Sequence, residues 1–225
     1  MTQTEIEKLV KKQRDFFNSG ETLNVSFRIS ALERLRACII KYEKKINQAI
    51  RADLGKSAFE SYMCETGLVL SELTYMIKHT RKYAKERTVR TPLAQFHSRS
   101  YQKPSPYGVV LIMSPWNYPL MLTLEPLVDA LAAGNTAIVK PSAYSANTSD
   151  LISRMLGECF DEKYVAVVTG GREENTCLLN EHFDYIFFTG SQSVGKEVMR
   201  CASAHLTPIT LELGGKSPCI VHKSA

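Results

Sequence analysis

Hydrophobic residues recur at helical spacing through the front of the chain and divide it into two amphipathic segments. The first segment covers residues 31–54 and is followed by Gly55, which is placed to end a helix. The second covers residues 60 to about 87. Their apolar positions are Leu32, Leu35, Ile39, Ile46 and Ile50 in the first, and Leu68, Leu73, Met76 and Ile77 in the second. The pattern therefore predicts two long helices before any strand.

Residues 88–104 break this pattern with two short β-prone pieces, 89–96 and 98–103. Such pieces predict an extended arm or hairpin that lies outside the main core. An arm of this kind either pairs with another subunit or is simply a surface hairpin. The sequence leaves both interpretations open.

From Tyr107 onward, short apolar runs alternate with amphipathic segments. The apolar runs predict strands at 108–113, 136–139, 165–168, 185–188 and 209–213, and the segments between them predict helices at 122–133, 147–160, 173–180 and 194–204. Continuous apolar strands separated by helices indicate a parallel sheet covered on both faces. With right-handed crossovers, the fold class is a doubly wound, Rossmann-like α/β sheet preceded by long helices. Ligands of such sheets bind beyond the carboxyl ends of the strands.

The charge distribution argues against two classes of partner. Residues 1–100 hold 19 Lys and Arg against 11 Asp and Glu, whereas residues 101–225 hold 9 against 12. In the basic half, Lys41, Lys44 and Lys45 alternate with Glu43, which is typical of a solvated helix face rather than a nucleic-acid site. The first twelve residues are too polar for a signal peptide, and no apolar run reaches the roughly 18 residues that span a bilayer. We expect a cytoplasmic protein with neither nucleic-acid nor membrane partners.

The six cysteines, at positions 38, 64, 159, 177, 201 and 219, form no C-x-x-C pair. No histidine cluster has metal-ligand spacing, so we predict no metal site. Most of the cysteines lie in apolar stretches, which favours buried thiols in a reducing compartment.

Polar motifs follow the first two predicted strands. Ser-Pro-Trp-Asn-Tyr-Pro at 114–119 places Trp116 and Asn117 in a turn stiffened by two prolines. A fixed Asn117 amide could donate to a developing oxyanion, or Asn117 could cap the next helix. Lys140 begins Lys-Pro-Ser after the second strand. It could reach ribose hydroxyls or phosphate, or it could be a solvated loop lysine.

Two further motifs belong to the last two predicted strands. Phe-Thr-Gly-Ser-Gln-Ser-Val-Gly-Lys at 188–196 leads into a helix whose free N–H groups could accept a pyrophosphate, although the turn could be purely structural. It matches neither G-x-G-x-x-G nor a P-loop. Leu-Glu-Leu-Gly-Gly-Lys-Ser-Pro at 211–218 places Glu212 between leucines. Partial desolvation there would raise the pKa of Glu212 toward the range of a general base, unless Glu212 points outward from an edge strand.

In this order, the four motifs resemble those of the aldehyde dehydrogenases. The matching residues are Pro-Trp-Asn-Tyr-Pro at 115–119, Lys-Pro-Ser at 140–142, Phe-Thr-Gly-Ser-x-x-Val-Gly at 188–195 and the motif at 211–218. The first form and the short amino-terminal region are most similar to the class 3 or fatty-aldehyde branch. The resemblance implies NAD(P)-dependent oxidation of an aldehyde to a carboxylic acid. In that reaction a cysteine thiolate attacks the aldehyde, an Asn amide holds the oxyanion, and a Glu activates water.

Carried onto this sequence, the resemblance makes Asn117 the oxyanion donor and Glu212 the general base. The implied cofactor is NAD or NADP, and the implied cofactor-binding residues are Trp116, Lys140, Gly190, Ser191, Val194 and Gly195. Residues 1–210 would form the dinucleotide-binding domain, with 88–104 as its arm, and 211–225 would begin a catalytic domain. The expected assembly of the full-length protein is a homodimer, and the expected substrate is an aldehyde.

Two positions depart from the family pattern. Ala143 stands where the family usually has a Glu that bonds the ribose hydroxyls. The loss of that carboxylate removes a contact with NAD and also a repulsion against a 2′-phosphate. We therefore expect NADP to be tolerated. None of the cysteines follows Gly-Gln, the context of the family's nucleophile. We interpret Cys219 as a buried thiol in a strand and expect the 225 residues alone to be inactive.

Two other functional interpretations remain. One is a protein that binds a nucleotide or a partner subunit without turnover. The other is a reductase of acyl phosphates or thioesters, which would not need the hydrolytic Glu, so the intact motif around Glu212 argues against it.

Overall fold

The computed structural model describes residues 1–225 and begins with four helices. These are α1 (Gln3–Asn18), α2 (Val25–Leu54), α3 (Ala58–Ser61) and α4 (Gly67–Tyr83), with a short 3₁₀ turn at Glu21–Leu23. Gly55 ends α2 with a φ of 72°, a left-handed conformation that glycine adopts at little cost, which confirms the predicted stop. The second predicted helix, from 60 to about 87, is confirmed as one helical segment that runs from Ala58 to Tyr83, and a π-helical turn at Tyr62–Thr66 lies within it between α3 and α4.

The arm is a separate two-stranded antiparallel sheet, as the β-prone pieces predict. Strand β1 (Arg87–Val89) pairs with β2 (Ser100–Gln102), and a 3₁₀ turn at Leu93–Gln95 lies between them. Both strands are shorter than the predicted pieces. Leu93 and Phe96, at the tip, are exposed.

The remaining strands form one five-stranded sheet in which every neighbouring pair is parallel. The strands are β3 (Val109–Met113), β4 (Thr136–Lys140), β5 (Val165–Val167), β6 (Tyr185–Gly190) and β7 (Ile209–Leu213), in the spatial order β5-β4-β3-β6-β7. The helices between them are α5 (Met121–Ala133), α6 (Ala146–Cys159), α7 (Arg172–Leu179) and α8 (Gln192–Ser203). The doubly wound α/β sheet is therefore confirmed.

Helices cover both faces of the sheet, and successive residues of each strand point to opposite faces, so the sheet contributes to two cores. In β3, Val110 and Ile112 pack in a core cluster with α2, α4, α5 and α6. Val109, Leu111 and Met113 pack in a second cluster with α1, α7 and α8. None of the eight helices combines the length and apolar character needed to cross a bilayer.

The strand order creates a crevice beside β3. The chain passes from β3 to β4 on one side and later returns to β6 on the other side. Loops that leave β3 and β6 therefore diverge at the carboxyl edge, and this switch point is where doubly wound sheets bind ligands.

Candidate functional site

A cleft of about 690 Å³ opens at the carboxyl ends of β3, β4 and β6. Its walls are the end of β3, the loops after β4 and β5, and the facing sides of α7 and α8. Its volume is typical of cofactor and small-molecule sites, and it lies at the switch point of the sheet.

Lys140 is a fixed, buried residue of this cleft. It is the last residue of β4 and is only 3% exposed, so it is not a solvated loop lysine. Its Nζ donates to the carbonyl oxygens of Pro141 (2.9 Å) and Gly170 (2.8 Å) and thereby joins the loops after β4 and β5. Burial lowers the pKa of Lys140 from its ordinary value, and the Glu174 carboxylate opposes that shift. An ammonium has three N–H donors, so one remains for a ligand.

The start of α8 forms a second wall. Ser191 is the N-cap, and its Oγ accepts a hydrogen bond from Val194 N (3.3 Å). The other first-turn N–H groups have no acceptor within the helix, and together with the helix dipole they favour an anion. Ser193 and Val194 line the cleft.

Gly190 and Gly195 support this helix start without lining the cleft. A Cβ on Gly190 would lie 2.6 Å from Cζ of Phe188, and one on Gly195 would lie 2.8 Å from Cδ2 of Leu213. Gly195 therefore lets α8 pack closely on β7, whereas Gly190 leaves room for the Phe188 ring of its own strand. The turn at 190–195 therefore has a structural role, and the start of α8 that follows it also lines the cleft.

Two cleft residues on α7 were not predicted from the sequence. Asn175 has a buried Oδ1 with no hydrogen-bond partner. The Arg172 guanidinium forms no ion pair, whereas Arg200 in the same cleft is paired with Glu197 at 2.6 Å. No motif marks either residue in the sequence. A ligand that carries both hydrogen-bond donors and anionic groups, as a dinucleotide does, fits these free groups.

The loop from Ser114 to Leu120 holds Asn117 and Trp116 at the same edge of the sheet but outside the cleft. Both side chains are exposed, and the Asn117 amide makes no hydrogen bond. The alternative that Asn117 caps α5 is wrong, because the carboxylate of Glu65 takes that place. Glu65 Oε2 accepts from Leu120 N (2.8 Å) and Met121 N (3.4 Å) at the start of α5.

Glu212 lies on β7 at the edge of the sheet, next to Thr189 of β6. Its side chain is exposed in the structure of residues 1–225, so the predicted partial desolvation of Glu212 is wrong there. The flanking leucines do not bury it because no further strand lies beyond β7. Asn117 and Glu212 share the carboxyl edge but make no contact, since β6 lies between β3 and β7.

The cysteines differ in environment more than their apolar neighbours indicate. Cys38 and Cys159 are buried, Cys64, Cys177 and Cys201 are partly exposed, and Cys219 is exposed. The prediction that Cys219 is a buried thiol in a strand is wrong, because residues 214–225 form no strand and lack packing partners.

Comparison with known sequences gives one consistent answer. The aldehyde dehydrogenase family profile matches residues 1–225. The chain is 46% identical over 220 residues to 4,4'-diaponeurosporen-aldehyde dehydrogenase of Staphylococcus aureus, covering 98% of this chain and 48% of that protein. It is 44% identical over 218 residues to aldehyde dehydrogenase family 3 member A2 of Rattus norvegicus, covering 97% and 45%. It is 43% identical over 221 residues to the dimeric NADP-preferring aldehyde dehydrogenase of Canis lupus familiaris, covering 98% and 49%.

Solved structures agree with the sequences. The substrate-bound Staphylococcus aureus AldH superposes with a TM-score of 0.93 at 46% identity, over 95% of this chain and 46% of that one. A Mycobacterium tuberculosis aldehyde dehydrogenase complexed with NAD+ superposes with a TM-score of 0.85 at 27% identity, over 96% and 45%. The chain spans about half the length of the curated relatives it matches.

Proposed function

Because the chain belongs to the aldehyde dehydrogenase family, we propose that its 225 residues form the NAD(P)-binding part of an enzyme that oxidises an aldehyde to a carboxylic acid. NAD(P) is the cofactor of this family. The observation that carries the proposal is the cleft at the switch point, which Lys140 and the start of α8 line from opposite sides.

The residues around the cleft have distinct roles in holding the cofactor. Lys140 donates its free N–H to the ribose, and the first turn of α8 after Ser191 receives the pyrophosphate. Val194 contacts the adenine. When bound, NAD(P) supplies the acceptor for the hydride that leaves the aldehyde carbon.

Two residues of the chain act on the substrate. The Asn117 amide, which is free of other partners, donates to the aldehyde oxygen as negative charge develops there. Glu212 takes the proton of the water that hydrolyses the acyl intermediate. Since Glu212 is exposed here, this role requires a covering surface that residues 1–225 do not supply.

The cofactor preference follows from charge. Ala143 and Arg172 both line the cleft, so position 143 carries no carboxylate and the Arg172 guanidinium is unpaired, whereas Glu197 of the cleft is already paired with Arg200. A 2′-phosphate therefore meets attraction from Arg172 and no repulsion from position 143, and we propose that NADP binds at least as well as NAD.

Calorimetric titration of the purified chain tests this proposal. NAD, NADP and the mononucleotides 5′-AMP and 2′,5′-ADP should all bind, with 2′,5′-ADP tighter than 5′-AMP. Arg172→Gln or Ala143→Glu should remove that preference, and Arg154→Gln, at an exposed position of α6 outside the cleft, should not. If no nucleotide binds, the proposed function is wrong.

A second proposal concerns turnover. None of the six cysteines follows Gly-Gln, so we propose that these residues bind the cofactor without oxidising aldehyde. Absorbance at 340 nm with an aldehyde and either cofactor should stay flat. A steady rise with purified chain would contradict this.

The arm provides the assembly surface. Leu93 and Phe96 are exposed on a hairpin that stands apart from the core, and we propose that it pairs subunits in a dimer. Sedimentation of Phe96→Ser against the unmodified chain tests this, and an unchanged mass distribution would count against it.

A further inference from the structure

A buried ion pair lies beneath the loop that carries Asn117. Glu65 sits in the π-helical turn before α4 and is 0% exposed, and the Lys56 side chain, just after α2, is only 11% exposed. Lys56 Nζ and Glu65 Oε1 are 2.7 Å apart. Neither residue has a role predicted from the sequence, because each is a charged residue in a helical region without a motif.

This pair contacts the 114–120 loop at Asn117 itself and at residues on its carboxyl-terminal side. Lys56 Nζ also donates to the carbonyl oxygen of Asn117 (2.8 Å) and lies 4.0 Å from the ring centroid of Tyr118. The second carboxylate oxygen of Glu65 accepts from Leu120 N at 2.8 Å. The two charges thus compensate each other and also satisfy polar groups of the loop.

Holding the Asn117 carbonyl has a direct geometric consequence. A fixed carbonyl sets the plane of the following peptide, and Pro115 and Pro119 already restrict the loop on either side. The direction of the Asn117 Cα–Cβ bond is then set by the backbone, although the side-chain amide has no partner of its own. An amide that donates to an oxyanion needs such preorganisation.

We propose that Lys56 and Glu65 are positioning residues for Asn117: their buried ion pair holds the loop so that the Asn117 amide has one direction. The inference rests on the proposed function for the role of that amide, but the order of the loop can be measured independently. A π-helical turn that carries Glu65 is consistent with this role, since such turns occur frequently at functional sites.

The experiment must separate positioning from folding. Removing only Lys56 would leave Glu65 buried and uncompensated, which destabilises a fold strongly. The double variant K56M/E65Q removes both charges, and its new side-chain amide at position 65 keeps a carbonyl oxygen that can accept from Leu120 N. The donor to the Asn117 carbonyl and the ammonium over the Tyr118 ring are then lost, while the acceptor for Leu120 N remains. Lys41→Met is the control, because Lys41 pairs with Glu158 on the exposed surface.

Backbone ¹⁵N relaxation of Asn117 and Trp116 provides the readout. Trp116 is the only tryptophan of the chain, so its indole N–H gives a second, unambiguous probe of the same loop. The unmodified chain and Lys41→Met should show order parameters of about 0.85 at these residues, and K56M/E65Q should fall below about 0.6 there alone.

Two outcomes have separate meanings. If K56M/E65Q is folded and the Asn117 loop keeps its order, the positioning role is wrong, whatever the nucleotide titrations show. If the loop loosens in K56M/E65Q but the unmodified chain binds neither NAD nor NADP, the positioning role stands and the proposed function fails.

Discussion

Replacing Lys140 with Met should weaken NADP binding by about 10- to 150-fold. Two of the three Nζ donors already serve the carbonyls of Pro141 and Gly170, so a ligand gains one charge-assisted hydrogen bond. Such a bond contributes about 1.5–3 kcal/mol, and about 1.4 kcal/mol corresponds to a tenfold change in affinity. The chain should remain folded, because removal of the buried ammonium also removes its desolvation cost and offsets the two lost backbone contacts.

Calorimetric titration with NADP measures this effect, and Lys196→Met is the matched control because Lys196 is exposed on α8 outside the cleft. The pH dependence adds a second test. Burial lowers the pKa of Lys140, so the donating ammonium is lost at a lower pH than for an ordinary lysine. The NADP affinity of the unmodified chain should therefore begin to fall at a pH below about 10.5, and Lys140→Met should not show this pH-dependent loss. A folded Lys140→Met that binds NADP within about twofold of the unmodified chain would refute the reasoning.

Two stability predictions follow from other parts of the fold. Partial desolvation, with Glu72 and Glu125 nearby, raises the pKa of Asp129 from 3.8 to about 6. The native state therefore binds the Asp129 proton more tightly than the unfolded state does. The stabilisation that results is fully present below about pH 3.8 and is lost as pH rises through about 6. Because the side chain is partly in water, Asp129→Asn should stabilise the fold by only about 1 kcal/mol at pH 8 and by less at pH 4. Urea unfolding at the two pH values measures this difference, and equal effects at both would contradict the prediction. Gly134→Ala should destabilise by about 2 kcal/mol or more, because φ is 95° and the new Cβ would lie 2.6 Å from Cζ of buried Arg28; an unchanged urea midpoint would exclude that clash.

Sequence patterns were most informative from Tyr107 onward. The five strands are short, continuous apolar runs, and the predicted boundaries lie within two residues of those observed. Gly55 marked the end of α2 correctly, because it adopts a positive φ value that other residues rarely take. The front of the chain was harder to interpret. The helix predicted from 60 to 87 is present, but its periodicity gave no sign of the π-helical turn, whose Glu65 accepts from Leu120 N, 55 residues away.

The site residues show the same division. Motif order correctly located Lys140 and the start of α8 at strand ends, and these two line one cleft. The burial of Glu212 was misjudged, because leucine neighbours in the chain do not tell whether β7 has a strand on its far side. Asn175, Arg172, Lys56 and Glu65 carried no local signal at all.

Local signals in the chain were thus enough for the type and order of the elements and for the chemistry at the strand ends, since periodicity and turn preferences act over a few residues. Contacts between distant segments alone set which strand ends meet, which carboxylate is buried and which is exposed. The order β5-β4-β3-β6-β7 brings Lys140 opposite α8, places Lys56 beneath Asn117 and leaves Glu212 at the rim. Burial and ion pairing depend on neighbours in space, and the sequence order of the residues does not encode those neighbours directly.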